Sequence, residues 1–219
     1  MIVAQFAGVV LLGYLIGSIP FGALVGRRVA GVDVTAYGSR KIGSTNVLRV
    51  AGKKAAALVM LLDLFKGALA VVLAGLIIGR NYLIVGDFGL GVLVAQCLAA
   101  LAAVAGHNWS VFLKFRGGRG VATFFGGLAA LCPPVAVFGG EILVLSAGLT
   151  RFASLGSIAG VVGICSILVP LTIINGFPIE YLAYALIGSV VIIVMHRDNI
   201  GRLLTGTERK LGEKAEGIR

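Results

Sequence analysis

The chain has 219 residues, 58% of them hydrophobic and 13% charged, and its mean hydropathy is +1.04. Soluble domains carry about 25% charged residues, so the composition excludes one and predicts an all-α integral membrane protein. At roughly 20 residues per span there is room for about seven transmembrane helices with short connections, in a single domain covering 1–219. A net charge of +10 would suggest nucleic acid in a soluble protein. In a membrane protein, clustered Lys and Arg instead mark the cytoplasmic side and attract anionic headgroups or phosphorylated substrates, so membrane lipids and not nucleic acid are the expected partners.

The first apolar run starts at Ile2 with no basic region ahead of it and reads as a retained span, not a cleavable signal peptide. It covers residues 2–25 and is interrupted by Gly17-Ser18-Ile19-Pro20-Phe21-Gly22. Proline removes a backbone donor, so this is either a simple kink or a point where protein or water satisfies the freed carbonyl. Loop 26–54 holds Arg27, Arg28, Arg40, Lys41, Arg49, Lys53 and Lys54 against the single acid Asp33. That imbalance puts the loop in the cytoplasm and the N-terminus outside. A second span over 55–78 contains Asp63 and Lys66, which share a helical face at i,i+3 and can neutralise one another. A structural ion pair is favoured over a catalytic role.

The near-neutral segment 80–88 is expected outside, followed by a third span over 89–105. Loop 106–120 returns to the cytoplasm with Lys114, Arg116 and Arg119, and its Trp109–Phe115 portion lies either at the interface or in the core. Cys132-Pro133-Pro134 divides the next run into short helices over 120–132 and 135–150, the second carrying Glu141 as a buried acid with no evident partner. Loop 151–154 precedes the last spans, 155–174 and 178–195, and the polar tail 196–219 is cytoplasmic. Every Lys and Arg except Lys66 and Arg80 then falls on one side of the membrane. Cys97, Cys132 and Cys165 lie in apolar runs without metal-ligand spacing and read as packing residues.

Polar clusters at 39–49, 107–123, 151–157 and 196–208 share the cytoplasmic side. Each alone fits a solvated connection, but all combine small hydrogen-bonding residues with arginines, and together they can line one anionic pocket. Arg116-Gly117-Gly118-Arg119-Gly120 offers a tight turn whose backbone N–H groups can face an anion beside fixed charge. Ser39, Ser44, Thr45 and Asn46 offer further donors, and Arg49 lies one helical turn beyond Thr45. His196 and Asn199, at i,i+3, share a face where the last helix leaves the membrane; they either exchange a proton and orient a hydroxyl or are structural. No metal-ligand spacing, Walker-type loop or nucleophile elbow is present, so no metal, cofactor or covalent intermediate is expected. The alternative from another class is a transporter or flippase for phosphorylated or lipid substrates, which needs a continuous polar path through the bilayer.

Taken together, GSRKIGSTNVLR, GHNWSVFLKFRGGRGVAT, TRFASLGS and HRDNIGRLLTGTERK resemble the ordered motifs of the bacterial acyl-phosphate:glycerol-3-phosphate acyltransferase family, over nearly the whole chain. The resemblance implies a multi-pass enzyme of the bacterial inner membrane, with its active site on the cytoplasmic side. It implies transfer of a fatty acyl group from acyl phosphate to the 1-hydroxyl of glycerol 3-phosphate, giving lysophosphatidic acid and inorganic phosphate in the first acylation of phospholipid synthesis. It also implies a functional link to an enzyme that forms acyl phosphates.

By motif position, Ser39, Thr45 and Asn46, with Gly117 and Gly118, resemble the family's acyl-phosphate pocket. Arg49, Arg119, Ser154, Ser157, His196 and Asn199 resemble its glycerol-3-phosphate contacts. His196, Asn199, Arg49 and Arg119 are the implied catalytic residues, and Glu208 matches a glutamate read as structural, pairing with a loop arginine. Two departures stand out: the family commonly has KGGKG where this chain has Arg116–Gly120, and GNPGATN where it has Arg40–Asn46 after Ser39. Arginine for lysine keeps the charge but changes reach and hydrogen-bond geometry.

Overall fold

The computed structural model describes residues 1–86 and 88–215; Asp87, and Arg219 among the bases of the tail, lie outside them. Nine α-helices run in the order α1 Ile2–Ser18, α2 Phe21–Ala30, α3 Ser44–Ile78, α4 Val92–Asn108, α5 Val121–Leu131, α6 Pro133–Thr150, α7 Ala153–Asn175, α8 Ile179–Met195 and α9 Arg197–Leu204 among the described residues. Among the described residues five stretches are long and apolar enough to cross a membrane: Ile2–Ala30 (α1 with α2), α3, Val92–Leu113, α6 and α7. A sixth is counted if α8 and α9, bent by 60°, form one span. The short segment expected at 120–132 is α5, whose 11 residues reach about 16 Å, half the thickness of a hydrocarbon core.

That shortness fits its place. Thr123 to Leu128 are all buried, because α5 is enclosed by α3, α4 and α8. Small residues let the backbones meet: a Cβ at Gly67 of α3 would overlap the Thr123 carbonyl, and one at Gly126 of α5 would overlap that of Leu64. Phe124 stacks on Tyr184 of α8 at 4.9 Å between ring centroids, and the Tyr184 hydroxyl donates to the Phe124 carbonyl at 2.8 Å. Gly17 of α1 meets Ala103 of α4 in the same close manner. The N-terminus of α5 is thereby fixed inside the bundle.

The break after α1 is satisfied by protein: Lys66 Nζ donates to the Ile19 carbonyl at 3.1 Å, and Ser110 Oγ to that of Ser18 at 2.6 Å. The second span begins earlier than expected, at Ser44, and α3 is interrupted at Gly52, whose φ of 83° and ψ of −179° suit only glycine. The connection expected at 80–88 contains strands β1 (Leu83–Val85) and β2 (Phe88–Leu90), which pair antiparallel with Leu83 opposite Leu90. Trp109, Phe112 and Phe115 are exposed at the end of α4, favouring the interfacial alternative. Glu141 corrects an expectation: it is not buried but exposed on the outer face of α6.

Candidate active site

The ends of α1, α4 and α8 and the starts of α5 and α7 meet at one end of the bundle, where tail residues 207–215 tie the loops together. Leu211 N–H donates to the Arg151 carbonyl at 2.6 Å and Ala215 N–H to that of Arg49 at 3.2 Å. Arg49 Nη2 in turn donates to the Arg209 carbonyl at 3.2 Å. The hub is Glu208, whose side chain is 4% exposed. It accepts from Ser154 Oγ at 2.9 Å, Asn199 Nδ2 at 2.6 Å and Arg202 Nε at 2.8 Å. Burial works to raise its pKa, but these three donors outweigh it and hold the carboxyl below the usual range. Its arginine partner belongs to α9, not to a loop.

Arg119 faces this hub. Burial brings its guanidinium down to about 10; Glu208 opposes the shift, while Arg202 and Arg49 reinforce it. Its Nε has no hydrogen-bond partner among the described residues. Lys41 is lowered as well, first by burial and then by Arg119. Arg49, Arg119 and Arg202 thus crowd around Glu208, an arrangement that an incoming anion relieves. The N–H groups at the start of α5 lie directly after Arg119 and are free of intrahelical partners, as in any first helical turn.

His196 caps α8. Its Nδ1 lies 2.8 Å from the Ile192 carbonyl, and a carbonyl only accepts, so Nδ1 carries the proton and Nε2 is an acceptor. Burial pushes the imidazole down to about 4; the Ile192 bond opposes this, Arg119 adds to it, and Glu208 opposes it. The ring is therefore neutral at physiological pH. Histidine-selective NMR is expected to show the resonance lost in His196→Gln titrating near 4, whereas a midpoint near 6.5 contradicts this environment. Asn199 Oδ1 is buried and has no hydrogen-bond partner among the described residues, which leaves a second acceptor one helical turn beyond His196.

Several expected donors are spent within the protein. Asn46 Nδ2 donates to the carbonyls of Val34 (2.9 Å), Tyr37 (3.2 Å) and Lys41 (2.9 Å), while its Oδ1 accepts from Ser39 N–H at 2.8 Å. It shapes the first loop and has no donor left for a ligand. Gly118 N–H donates to the His107 carbonyl at 3.0 Å, which removes the amide expected to face an acyl phosphate. Ser154 is committed to Glu208, and Ser157 Oγ donates to its own helix at Ala153, 2.8 Å away. The hydroxyls of Ser39 and Thr45 remain beside the first loop, and Arg49 lines a cavity of about 380 Å³ between that loop and the tail. Asp63 pairs with Lys66 Nζ at 2.8 Å, as expected, and also faces His107 Nδ1 at 3.5 Å.

The sequence reading passed over Asn108, whose amide is 1% exposed with neither Oδ1 nor Nδ2 bonded among the described residues, and Thr123, whose hydroxyl is likewise buried and unpartnered. Thr123 follows the glycine turn by three residues, which was the available signal; Asn108 reaches Gly117 and Gly120 only through the fold. Arg202 was read only as a topology charge.

The fold defines a polytopic membrane protein, with a cationic, hydrogen-bonding cluster at one end of its helix bundle. The chain belongs to the glycerol-3-phosphate acyltransferase family, whose model matches residues 7–206. It is similar to glycerol-3-phosphate acyltransferase 3 of Dehalococcoides mccartyi strain CBDB1, at 61% identity over 98% of this chain and 100% of the relative. The glycerol-3-phosphate acyltransferase of Rubrobacter xylanophilus is 43% identical over 95% and 96% of the two chains. Among solved structures, PlsY (YgiH), an integral membrane glycerol 3-phosphate acyltransferase, matches in its glycerol 3-phosphate form with a TM-score of 0.81 and 34% identity, covering 94% of this chain and 96% of that one. Its lysophosphatidic acid form matches with a TM-score of 0.79.

Proposed function

We propose that the protein transfers a fatty acyl group from acyl phosphate to the 1-hydroxyl of glycerol 3-phosphate, releasing lysophosphatidic acid and inorganic phosphate. The observation that carries this reading is the half-buried Arg119, whose buried Nε has no partner among the described residues, beside a neutral His196. An arginine in that state suits a phosphate, and an acceptor nitrogen beside it suits a hydroxyl three carbons away. Both groups occur together in glycerol 3-phosphate, which the related PlsY is described with.

In this reading Arg119 and Arg49 hold the phosphate of glycerol 3-phosphate, while His196 Nε2 and Asn199 Oδ1 orient its 1-hydroxyl. Ser39, Thr45, Gly117 and the first amides of α5 face the acyl phosphate, and Asn46 and Gly118 position that pocket from behind. The hydroxyl oxygen attacks the acyl carbon, the bond from that carbon to the phosphate oxygen breaks, and the departing phosphate takes the hydroxyl proton. An acyl phosphate is an activated anhydride, so positioning and charge stabilisation suffice. The clustered bases support a cytoplasmic active-site end and an external N-terminus; in this reading the enzyme sits in the bacterial inner membrane and an acyl-phosphate-forming enzyme supplies the donor.

With glycerol 3-phosphate present, purified protein is expected to make lysophosphatidic acid from palmitoyl phosphate and none from palmitoyl-CoA; the reverse preference overturns the donor assignment. His196→Gln keeps an acceptor and is expected to retain most of kcat while raising KM for glycerol 3-phosphate. Loss of kcat alone would instead make His196 the base. Arg119→Lys is expected to stay within about tenfold of wild type and Arg119→Ala to lose about 1,000-fold in kcat/KM, because charge matters more here than the fork.

A further inference from the structure

Asp63 and His107 have no part in the chemistry above, yet they are joined to it. His107, the penultimate residue of α4, is 3% exposed. Its carbonyl accepts the Gly118 N–H at 3.0 Å, and its ring fills the space a side chain at residue 118 would take. A Cβ there would overlap Nε2 and lie 2.8 Å from Cδ2 and 2.9 Å from Cε1. On its other edge, Nδ1 faces Asp63 Oδ1 at 3.5 Å. Asp63 pairs with Lys66 Nζ at 2.8 Å, and Lys66 reaches the Ile19 carbonyl at the α1–α2 break. A single line of polar contacts thus runs from that break, across α3, through the end of α4, to the turn immediately before Arg119.

This places the charges differently from a mid-span ion pair. Ile19 and His107 stand at the ends of α1 and α4, so Asp63 and Lys66 lie level with the active-site end of the bundle. Were the pair needed only to neutralise two charges, the imidazole would be superfluous. Were His107 needed only as packing, an apolar ring would fill the space without leaving a nitrogen directed at a buried carboxylate.

We propose that Asp63, acting through His107, is a positioning residue for acyl transfer: it fixes the imidazole against Gly118, and the imidazole sets the height of the turn that carries Gly117 and Arg119. This rests on the site assignment above. The turn has few alternatives for its placement, since Gly118 is held by its amide from one side and by the ring from the other. Loss of the ring frees both.

The test compares His107→Ala, His107→Asn and Asp63→Ala with wild type in steady-state assays with palmitoyl phosphate and glycerol 3-phosphate, with folded fraction and thermal unfolding recorded. His107→Ala and Asp63→Ala are expected to lower kcat about 30-fold per folded molecule and to raise KM for acyl phosphate, as a shift of about 1 Å in a bound substrate does. Amide exchange over residues 116–120 rises in the same proteins. Asn places an amide nitrogen where Nδ1 lies, so His107→Asn recovers kcat to within about fivefold.

If Asp63→Ala fails to fold because Lys66 is stranded, Asp63→Leu/Lys66→Met removes both charges and the acceptor that faces His107, and is expected to show the same loss in kcat. Wild-type kcat and KM in the surviving folded fraction of these variants, or an Asn variant no better than Ala, overturns the proposal. Should wild type use a thioester and not acyl phosphate, the donor assignment fails separately, and the same variants measured with that donor still decide the positioning role.

Discussion

Gly117→Ala is expected to lower kcat/KM about 100-fold in protein that still folds. The added methyl would overlap the His107 carbonyl oxygen and lie 2.7 Å from that of Asn108. Both are backbone atoms at the C-terminal end of α4, which cannot swing aside as a side chain can, so the turn itself must move outward. Moving it displaces Arg119 and the start of α5 together, and displacements of about 1 Å at a positioned site cost about two orders of magnitude. Kinetics on monodisperse variant protein check this, and a loss under about fivefold contradicts the packing described. Gly43 is the natural comparison, because a Cβ there meets nothing within 4 Å; Gly43→Ala is expected to be nearly silent.

Glu208→Ala is expected to impair both folding and turnover. It strips the shared acceptor from Ser154, Asn199 and Arg202, and leaves Arg49, Arg119 and Arg202 repelling one another without their nearest carboxylate. Removing a buried, multiply bonded charge costs about 3 kcal/mol, so the variant should unfold at a lower temperature and lose activity about 1,000-fold. Glu208→Gln, which retains an acceptor oxygen, falls between. Because the folded carboxyl is held below its usual value, its stabilising effect is complete above the ordinary carboxylate range and is lost as pH falls through the depressed value. The acid limb of a stability-versus-pH curve should accordingly flatten in Glu208→Gln; an unchanged limb contradicts the hub.

The sequence made the membrane class and most helix positions legible, because apolar runs and clustered bases are local features of composition. Convergence of the four polar clusters was legible for the same reason, since alternation of spans puts every second connection at one end. What it could not reveal was which polar atoms are already spent. Asn46 and Gly118 look like ligand donors in a Gly/Ser/Asn-rich string, yet one bonds three carbonyls of its own loop and the other the end of α4. Those partners are set by tertiary approach and leave no periodic trace.

Glu208 was legible as structural only through resemblance, and Arg202 looked like one more tail charge. The approach of Asp63 to His107 was not legible, because it is set by how α3 and α4 lie alongside one another and not by spacing within either. Here α3 begins at Ser44, bends at Gly52 and extends past the end of α1.

In the proposed reaction one cationic site brings two phosphorylated substrates together. This is tested most directly by following inorganic phosphate released from palmitoyl phosphate by the purified protein, with and without glycerol 3-phosphate. The site described here predicts release only when glycerol 3-phosphate is present, in a one-to-one ratio with lysophosphatidic acid formed. Release at the same rate without it, or none with it, would contradict the account.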